Sequence, residues 1–266
     1  MITLVGSLAL GWEAATGGGV TLVTHGFNSG IDTWVISMAE QIPGYPTFPG
    51  SDFSCYEIEI TESGGNLVYS VTHLDGTTPD LSDNGEIFIK LDWSTLDGVG
   101  GSSTPVVAAA AAEALLDPAL ITERGGHSLA ELPLHLIGHS RGASLVTFLA
   151  ASLGAEGIWV DHLTSLDPYP FGLTGDPSEV DIHENVLFAD NYWQGLSFPT
   201  GFNLTGAYNR QLNPLGNGYG SPHSNVHLWY HGTIELGTPA YDKEAYIYQA
   251  ERDAWWTNFE AEGSNT

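Results

Sequence analysis

Short apolar runs and segments with helical periodicity alternate along most of the chain. The runs are Val20–Thr24 (VTLVT), Ile87–Leu91 (IFIKL), Leu134–Ile137 (LHLI) and Val186–Ala189 (VLFA), with Trp159–Leu166 (WVDHLTSL) a less uniform fifth. Runs that are apolar on both faces belong in a sheet covered on both sides, which is the habit of parallel sheets. Between and after them, apolar spacing predicts helices over about 32–42, 104–117, 142–154, 225–235 and 242–258. The stretch Tyr56–Thr72 differs. There YEIEI and LVYSV alternate around Gly64-Gly65, predicting an antiparallel hairpin inserted between parallel elements. The Gly-, Pro- and Asn-rich segment 195–222 is too long for an ordinary connection and is expected to be a functional loop or lid. No internal repeat is visible. Residues 1–266 therefore read as one α/β domain, a mostly parallel central sheet flanked by helices.

Composition narrows what such a domain does. With 266 residues and 42% hydrophobic content the chain can bury a sizeable core, and eight Trp argue against disorder. Charged residues make up 14%, against roughly 25% in ordinary globular chains, and the shortfall lies in the bases. Six Lys and Arg face 32 Asp and Glu, a formal charge of −26 that repels phosphate backbones and anionic surfaces. Nucleic acid is therefore not an expected partner. Cys55 is the single cysteine, which excludes an intrachain disulfide and a cysteine-rich zinc site. No apolar stretch reaches the roughly 18 residues of a membrane span, and the opening MITLVGSLALGW lacks the basic segment of a signal peptide.

The strongest chemical signal is Gly138-His139-Ser140-Arg141-Gly142, directly after the run LPLHLI and before the periodic segment RGASLVTFLAASLG. A nucleophilic serine needs a tight turn that lifts its hydroxyl above the sheet, with glycines where neighbouring backbone comes close. The following helix then presents free N–H groups to an oxyanion. Upstream, Val20–Thr24 ends in His25-Gly26-Phe27, a place for a second backbone donor, so the amides of Phe27 and Arg141 form the expected oxyanion hole.

Such a serine needs a base, and the base needs a carboxylate. Asp167 in LTSLDPYP and Asp190 in VLFADNYW each end a candidate strand, and Pro168 turns the chain out of its strand after Asp167. His223, His227 and His231 cluster late, spaced by four, which on a helix also raises the possibility of a metal cluster. His223 directly follows Pro222, ahead of the expected helix, where a loop imidazole can reach a serine; His227 is the alternative base. Trp34, Tyr169 and Trp193, with Phe198 and Phe202, are candidates to line an acyl groove. Asp80, Asp83, Asn84 and Glu86 offer oxygen ligands to a structural calcium without EF-hand spacing, and no other cofactor is expected.

Taken together, these segments resemble the pancreatic-lipase-type α/β hydrolases. THGFNSGIDTW is similar to that family's oxyanion strand and following helix, IFIKLDWS to its strand before a long helix, LHLIGHSRGA to its nucleophile elbow and LTSLDPYP to its acid strand. HSNVHLWYHGTI resembles the segment that carries its histidine. The resemblance implies the α/β-hydrolase fold, with Ser140 as nucleophile, Asp167 as acid, His223 as base and Phe27 as an oxyanion donor. It implies a lipase or esterase acting on a small-molecule or lipid ester, and with the shortage of bases it points to an extracellular setting. Arg141 departs from the Leu usual after the family's serine, and no cysteine-closed lid is possible. Other serine hydrolases on the same fold (polyester depolymerase, thioesterase, amidase) and a non-catalytic binding module are the alternatives; oligomeric state is not legible.

Overall fold

The structure, a computed structural model, describes residues 18–32, 34–42, 53–78, 85–178, 180–212, 215 and 219–234. Among these, eight strands form one sheet in the order β3-β2-β4-β1-β5-β6-β7-β8. The strands are β1 (Val20–Thr24), β2 (Phe53–Ser63), β3 (Asn66–Gly76), β4 (Glu86–Asp92), β5 (Leu134–His139), β6 (Val160–Leu166), β7 (Val186–Trp193) and β8 (Tyr208–Gln211). Every neighbouring pair is parallel except β2 and β3. Four helices accompany them: α1 (Trp34–Gln41), α2 (Thr104–Leu116), α3 (Arg141–Ala155) and α4 (Pro222–Ile234).

The strands carry two cores because successive side chains point to opposite faces. Val20 and Leu22 of β1, Leu136 of β5 and Leu163 of β6 join the core under α2 and α3. Val23, Ile137 and Leu166, each offset by an odd number of residues, join Trp34, Val35 and Met38 of α1 and Val226 of α4 on the other side. The alanine run of α2 packs against α3, where small side chains let the two helices approach. Uniformly apolar strands follow directly from this double covering.

The structure bears out one of the sequence expectations and corrects another. The antiparallel hairpin is present and lies in the chain between the parallel neighbours β1 and β4; β2 also pairs in parallel with β4 over Phe53–Glu59, which puts the hairpin at the edge of the sheet. Segment 195–222 is not one long loop, because β8 pairs with β7 and α4 begins at Pro222. Asn209 also fastens it, exchanging hydrogen bonds with Leu204 N–H and C=O at 2.8 and 2.9 Å and accepting from Asn191 at 2.8 Å. The helix expected at 242–258 and the ligands Asp80, Asp83 and Asn84 lie outside the described residues. Glu86 is described, and it accepts from the Gly19 amide (2.8 Å) and Thr21 hydroxyl (2.9 Å). Among the described residues no helix is long and apolar enough to cross a membrane.

Leu136 is fully buried in the centre of the sheet beneath α3. Leu136→Ala should lower the free energy of urea unfolding by about 2–5 kcal/mol, the range for leaving a cavity in a close-packed core.

Candidate active site

Parallel strands deliver their C-terminal ends to one edge of a sheet, and three neighbours here do so in step. Thr24 of β1 lies opposite Gly138 of β5, and His139 of β5 lies opposite Leu166 of β6. Ser140 and Asp167 are therefore each the first residue past paired strand ends, and the His25-Gly26-Phe27 turn leaves β1 beside them. The backbone there is strained. Asn28 (φ 54°), Ser140 (φ 59°) and Asp167 (φ 48°) are the non-glycine residues with positive φ among the described residues, and all three stand at this edge. Such outliers persist only where surrounding contacts over-determine them, and they concentrate at functional sites.

The contacts around Ser140 do over-determine it. Its amide donates to Leu166 C=O (2.8 Å), and its carbonyl accepts from the Tyr169 amide (3.1 Å). Two glycines allow the close approach. A Cβ on Gly142 would collide with the His25 carbonyl oxygen, and one on Gly26 would lie 2.7 Å from Ser140 Cβ. The elbow and the β1 turn thus press directly on each other. Ser140 is the N-cap of α3, so the first amides of that helix, beginning with Arg141, open toward the same space.

Asp167 is fully buried and saturated with donors. Its Oδ1 accepts the amides of Gln194 (2.8 Å) and Gly201 (3.0 Å), and its Oδ2 accepts Gln194 Nε2 (3.0 Å) and His223 Nδ1 (2.5 Å). His223 is not a loop residue as expected. Pro222 occupies the first position of α4, where its missing N–H costs nothing, and His223 follows it. Its carbonyl accepts from His139 Nε2 at 3.0 Å, which ties α4 to the residue before Ser140. Among the described residues, the hydrogen bonds of His223 go to Asp167 and His139, and none joins its ring to the Ser140 hydroxyl.

The alternatives separate by place. Asp190 does not end its strand; β7 runs on to Trp193, and Asp190 lies mid-strand with His162 Nε2 at ion-pair distance (3.2 Å) and Tyr192 Oη donating at 3.1 Å. Burial would raise its carboxyl, but His162 with Thr164 outweighs that and holds it below the usual range. His227 stacks on Trp34 at 4.4 Å and meets His139 edge-on at 4.7 Å. Burial, reinforced by the neighbouring imidazoles, keeps His227 and His139 far below the ordinary histidine range, so both are neutral core residues. His231 is likewise buried, and no group of three His, Cys, Asp or Glu among the described residues is placed to hold a metal. Trp34, expected in the groove, is 4% exposed and belongs to the core.

Tyr169 does border the site, edge-on to the His223 ring at 6.5 Å and to Phe198 at 5.5 Å. Phe27 packs on Phe171 at 4.5 Å, and Trp193 lies against Gly201 beside Asp167. Phe198 is 79% exposed at the rim, and Phe202 is partly covered.

Sequence reasoning missed several residues that hold the site. Gln194 grips Asp167 and, through the same amide, the carbonyls of Ser197 (3.1 Å) and Pro199 (2.7 Å). Arg141 is fully buried, and its guanidinium meets the Asp176 carboxylate at 2.6 and 2.9 Å. Asp176 also caps the first amide of α2, at Thr104 (2.8 Å). His25 is buried between Asp92 (3.2 Å) and Asp97 (3.5 Å); burial alone would lower it, but those carboxylates outweigh burial and hold it above the ordinary value. The one available signal was a scarce base at an otherwise apolar helix start; Asp176 and Gln194 carry none.

A serine at positive φ on a strand–turn–helix, at the C-terminal edge of a mostly parallel sheet, decides the architecture. The fold is the α/β-hydrolase fold. No family model matches the chain, and no curated protein matches it. Among solved structures, a Lactobacillus plantarum WCFS1 protein proposed to be a cell surface hydrolase aligns at 11% identity over 83% of this chain and 91% of its own, with a TM-score of 0.48. The lin2722 gene product of Listeria innocua aligns at 10% identity over 92% and 94%, with a TM-score of 0.44. Likeness at that level carries no functional inference.

Burial would raise Asp176, but the Arg141 guanidinium and the amides of Thr104 and Phe171 prevail and keep it below the usual carboxylate range. Its contribution to stability is then complete above the unfolded value of about 3.9 and is lost as pH falls through the lower folded value. Asp176→Asn should cost about 3–5 kcal/mol at pH 7, the range for breaking a buried pair. The loss of stability between about pH 4 and pH 2 should also be shallower in the variant. Urea unfolding at a series of pH values checks both.

Proposed function

We propose that the protein is a serine carboxylic-ester hydrolase of lipase or esterase type, acting on esters with apolar acyl groups through an acyl-enzyme. The observation that supports this most directly is the 2.5 Å hydrogen bond from His223 Nδ1 to the buried Asp167 carboxylate, at the sheet edge that also presents Ser140. With Nδ1–H committed to Asp167, the free lone pair is on Nε2, the atom that must accept a proton from a serine.

In this mechanism the Ser140 hydroxyl attacks the ester carbonyl carbon while His223 Nε2 takes its proton. The carbonyl oxygen becomes an oxyanion, received by the amides of Phe27 and Arg141. Asp167 stabilises the imidazolium, which returns the proton to the departing alcohol. Water then repeats the sequence on the acyl-enzyme and releases a carboxylic acid. The motif order resembling pancreatic-lipase-type enzymes supports the ester class. Phe27, Tyr169, Phe171 and Phe198 supply an aromatic mouth that suits an apolar acyl chain better than a polar one. The shortage of bases favours an extracellular setting.

The segment after Gln194 is fastened to the acid and does not have the free hinges of a lid. Gln194 Oε1 accepts the amides of Leu196 (2.8 Å) and Ser197 (3.1 Å), while its Nε2 reaches Asp167, Ser197 and Pro199. The mouth is therefore expected to stay open without an interface.

Ser140→Ala should abolish hydrolysis of p-nitrophenyl esters and labelling by a fluorophosphonate while the far-UV circular dichroism is unchanged; undiminished turnover would sink the proposed function. Rates measured on C2 to C16 esters should rise hyperbolically with concentration, with no jump where the longer esters form micelles. A sharp jump there would mean that segment 195–201 moves as a lid after all.

A further inference from the structure

The Arg141 guanidinium commits four hydrogen bonds to three separate places. Nε and Nη2 donate to the Asp176 carboxylate (2.6 and 2.9 Å), Nη1 donates to the Asp97 carbonyl (2.8 Å), and Nη2 also donates to the Ser102 carbonyl (2.5 Å). Its carbon lies 4.8 Å from the centre of the Trp93 ring. An apolar side chain of similar volume would fill this interior without the cost of desolvating a guanidinium. It would not fix directions, however, because van der Waals contact is non-directional while a planar fork holds each acceptor at a set angle.

Three of the residues that the guanidinium touches, Trp93, Asp97 and Asp176, also reach the turn that leaves β1. Trp93 Nε1 donates to Thr24 Oγ1 (3.1 Å) and to the His25 carbonyl (3.3 Å), fastening where the turn begins. The Asp97 carboxylate accepts the Ser29 amide (2.8 Å), fastening where it ends. Asp176 accepts the Phe171 amide (3.0 Å), and the Phe171 ring packs on Phe27 at 4.5 Å, bracing the middle. The turn carrying the Phe27 amide is thus held at three points, and all three trace to one guanidinium. The backbone amide of that same residue is the other proposed donor.

We propose that the Arg141 side chain is a positioning residue that sets the separation between the Phe27 and Arg141 amides of the oxyanion hole. This rests on the serine-hydrolase function proposed above. Charge on the substrate oxygen develops only as the serine attacks, so a hole with misplaced amides loses turnover while ground-state binding is retained.

Two variants test it, with kcat normalised to sites titrated by a fluorophosphonate. Arg141→Lys keeps a buried positive charge without the fork. Trp93→Phe keeps a ring beneath the guanidinium and removes the indole N–H together with part of the ring's volume. On p-nitrophenyl butyrate, kcat should fall at least about 10-fold in the first and about 3-fold in the second, with KM within about 3-fold of wild type. Affinity for a trifluoromethyl ketone, which forms an oxyanion on Ser140, should fall in step with kcat/KM. Where Arg141→Lys does not fold, Trp93→Phe decides. Wild-type kcat and ketone affinity in the folded variants, with only Tm lowered, would overturn the positioning role alone. A wild-type protein that the fluorophosphonate does not label overturns the hydrolase function and the positioning role with it.

Discussion

The common level at which β1, β5 and β6 end is the constraint on which the rest of the structure depends. Each strand has a period of two, so sliding β5 by one residue against β6 would turn Leu136 out of one core and Ile137 out of the other. The two cores therefore lock the register, and the register places Ser140 and Asp167 side by side although 26 residues of chain lie between them. The hydrogen bonds of Ser140 to Leu166 and Tyr169 extend that alignment past the strand ends. The alignment is inherited from the packing of α2 and α3 on one face and α1 and α4 on the other.

Strain at the edge is the counterpart of this rigidity. Ser140 and Asp167 hold backbone conformations that side chains disfavour, each costing on the order of 1–3 kcal/mol. The opposing terms are local and directional: Leu166 and Tyr169 on the serine backbone, and four donors on the Asp167 carboxylate. A carboxylate so saturated is held in one orientation without solvent, which is what an imidazole beside it requires.

A chain with six bases places one of them, Arg141, wholly inside. Its carboxylate partner, Asp176, caps α2 and reaches it from a loop 35 residues further on. Buried ion pairs contribute little net stability compared with an apolar filling, and their value lies in the geometry they impose. Here the geometry joins the starts of α2 and α3 to the turn after β1, so the interior of the site is knitted by polar contacts while its mouth is aromatic.

Much of this was legible in the residues. The mostly parallel sheet, five of its strands to within a few residues, and the strand–turn–helix at Ser140 all follow from local pattern, because a buried strand and a strained Gly-x-Ser-x-Gly turn have few other uses. The choice of Asp167 over Asp190 and of His223 over His227 was not local. Both acids stand in or after a strand and both histidines on one helix, and only the strand's true end and the side of α4 that faces Asp167 separate them. Trp34 was misjudged for the same reason, since an aromatic wall and an aromatic core look alike until the covering helix is placed. Gln194 and Asp176 were invisible, being polar residues in irregular segments whose importance is set by what they touch. Sequence by itself determined the mostly parallel sheet and the Gly-x-Ser-x-Gly turn, because periodicity and turn composition act over a few neighbouring residues. Tertiary structure decided which carboxylate and which imidazole meet at the sheet edge beside Ser140, and which arginine is buried beneath them, because those are distances between segments far apart in the chain.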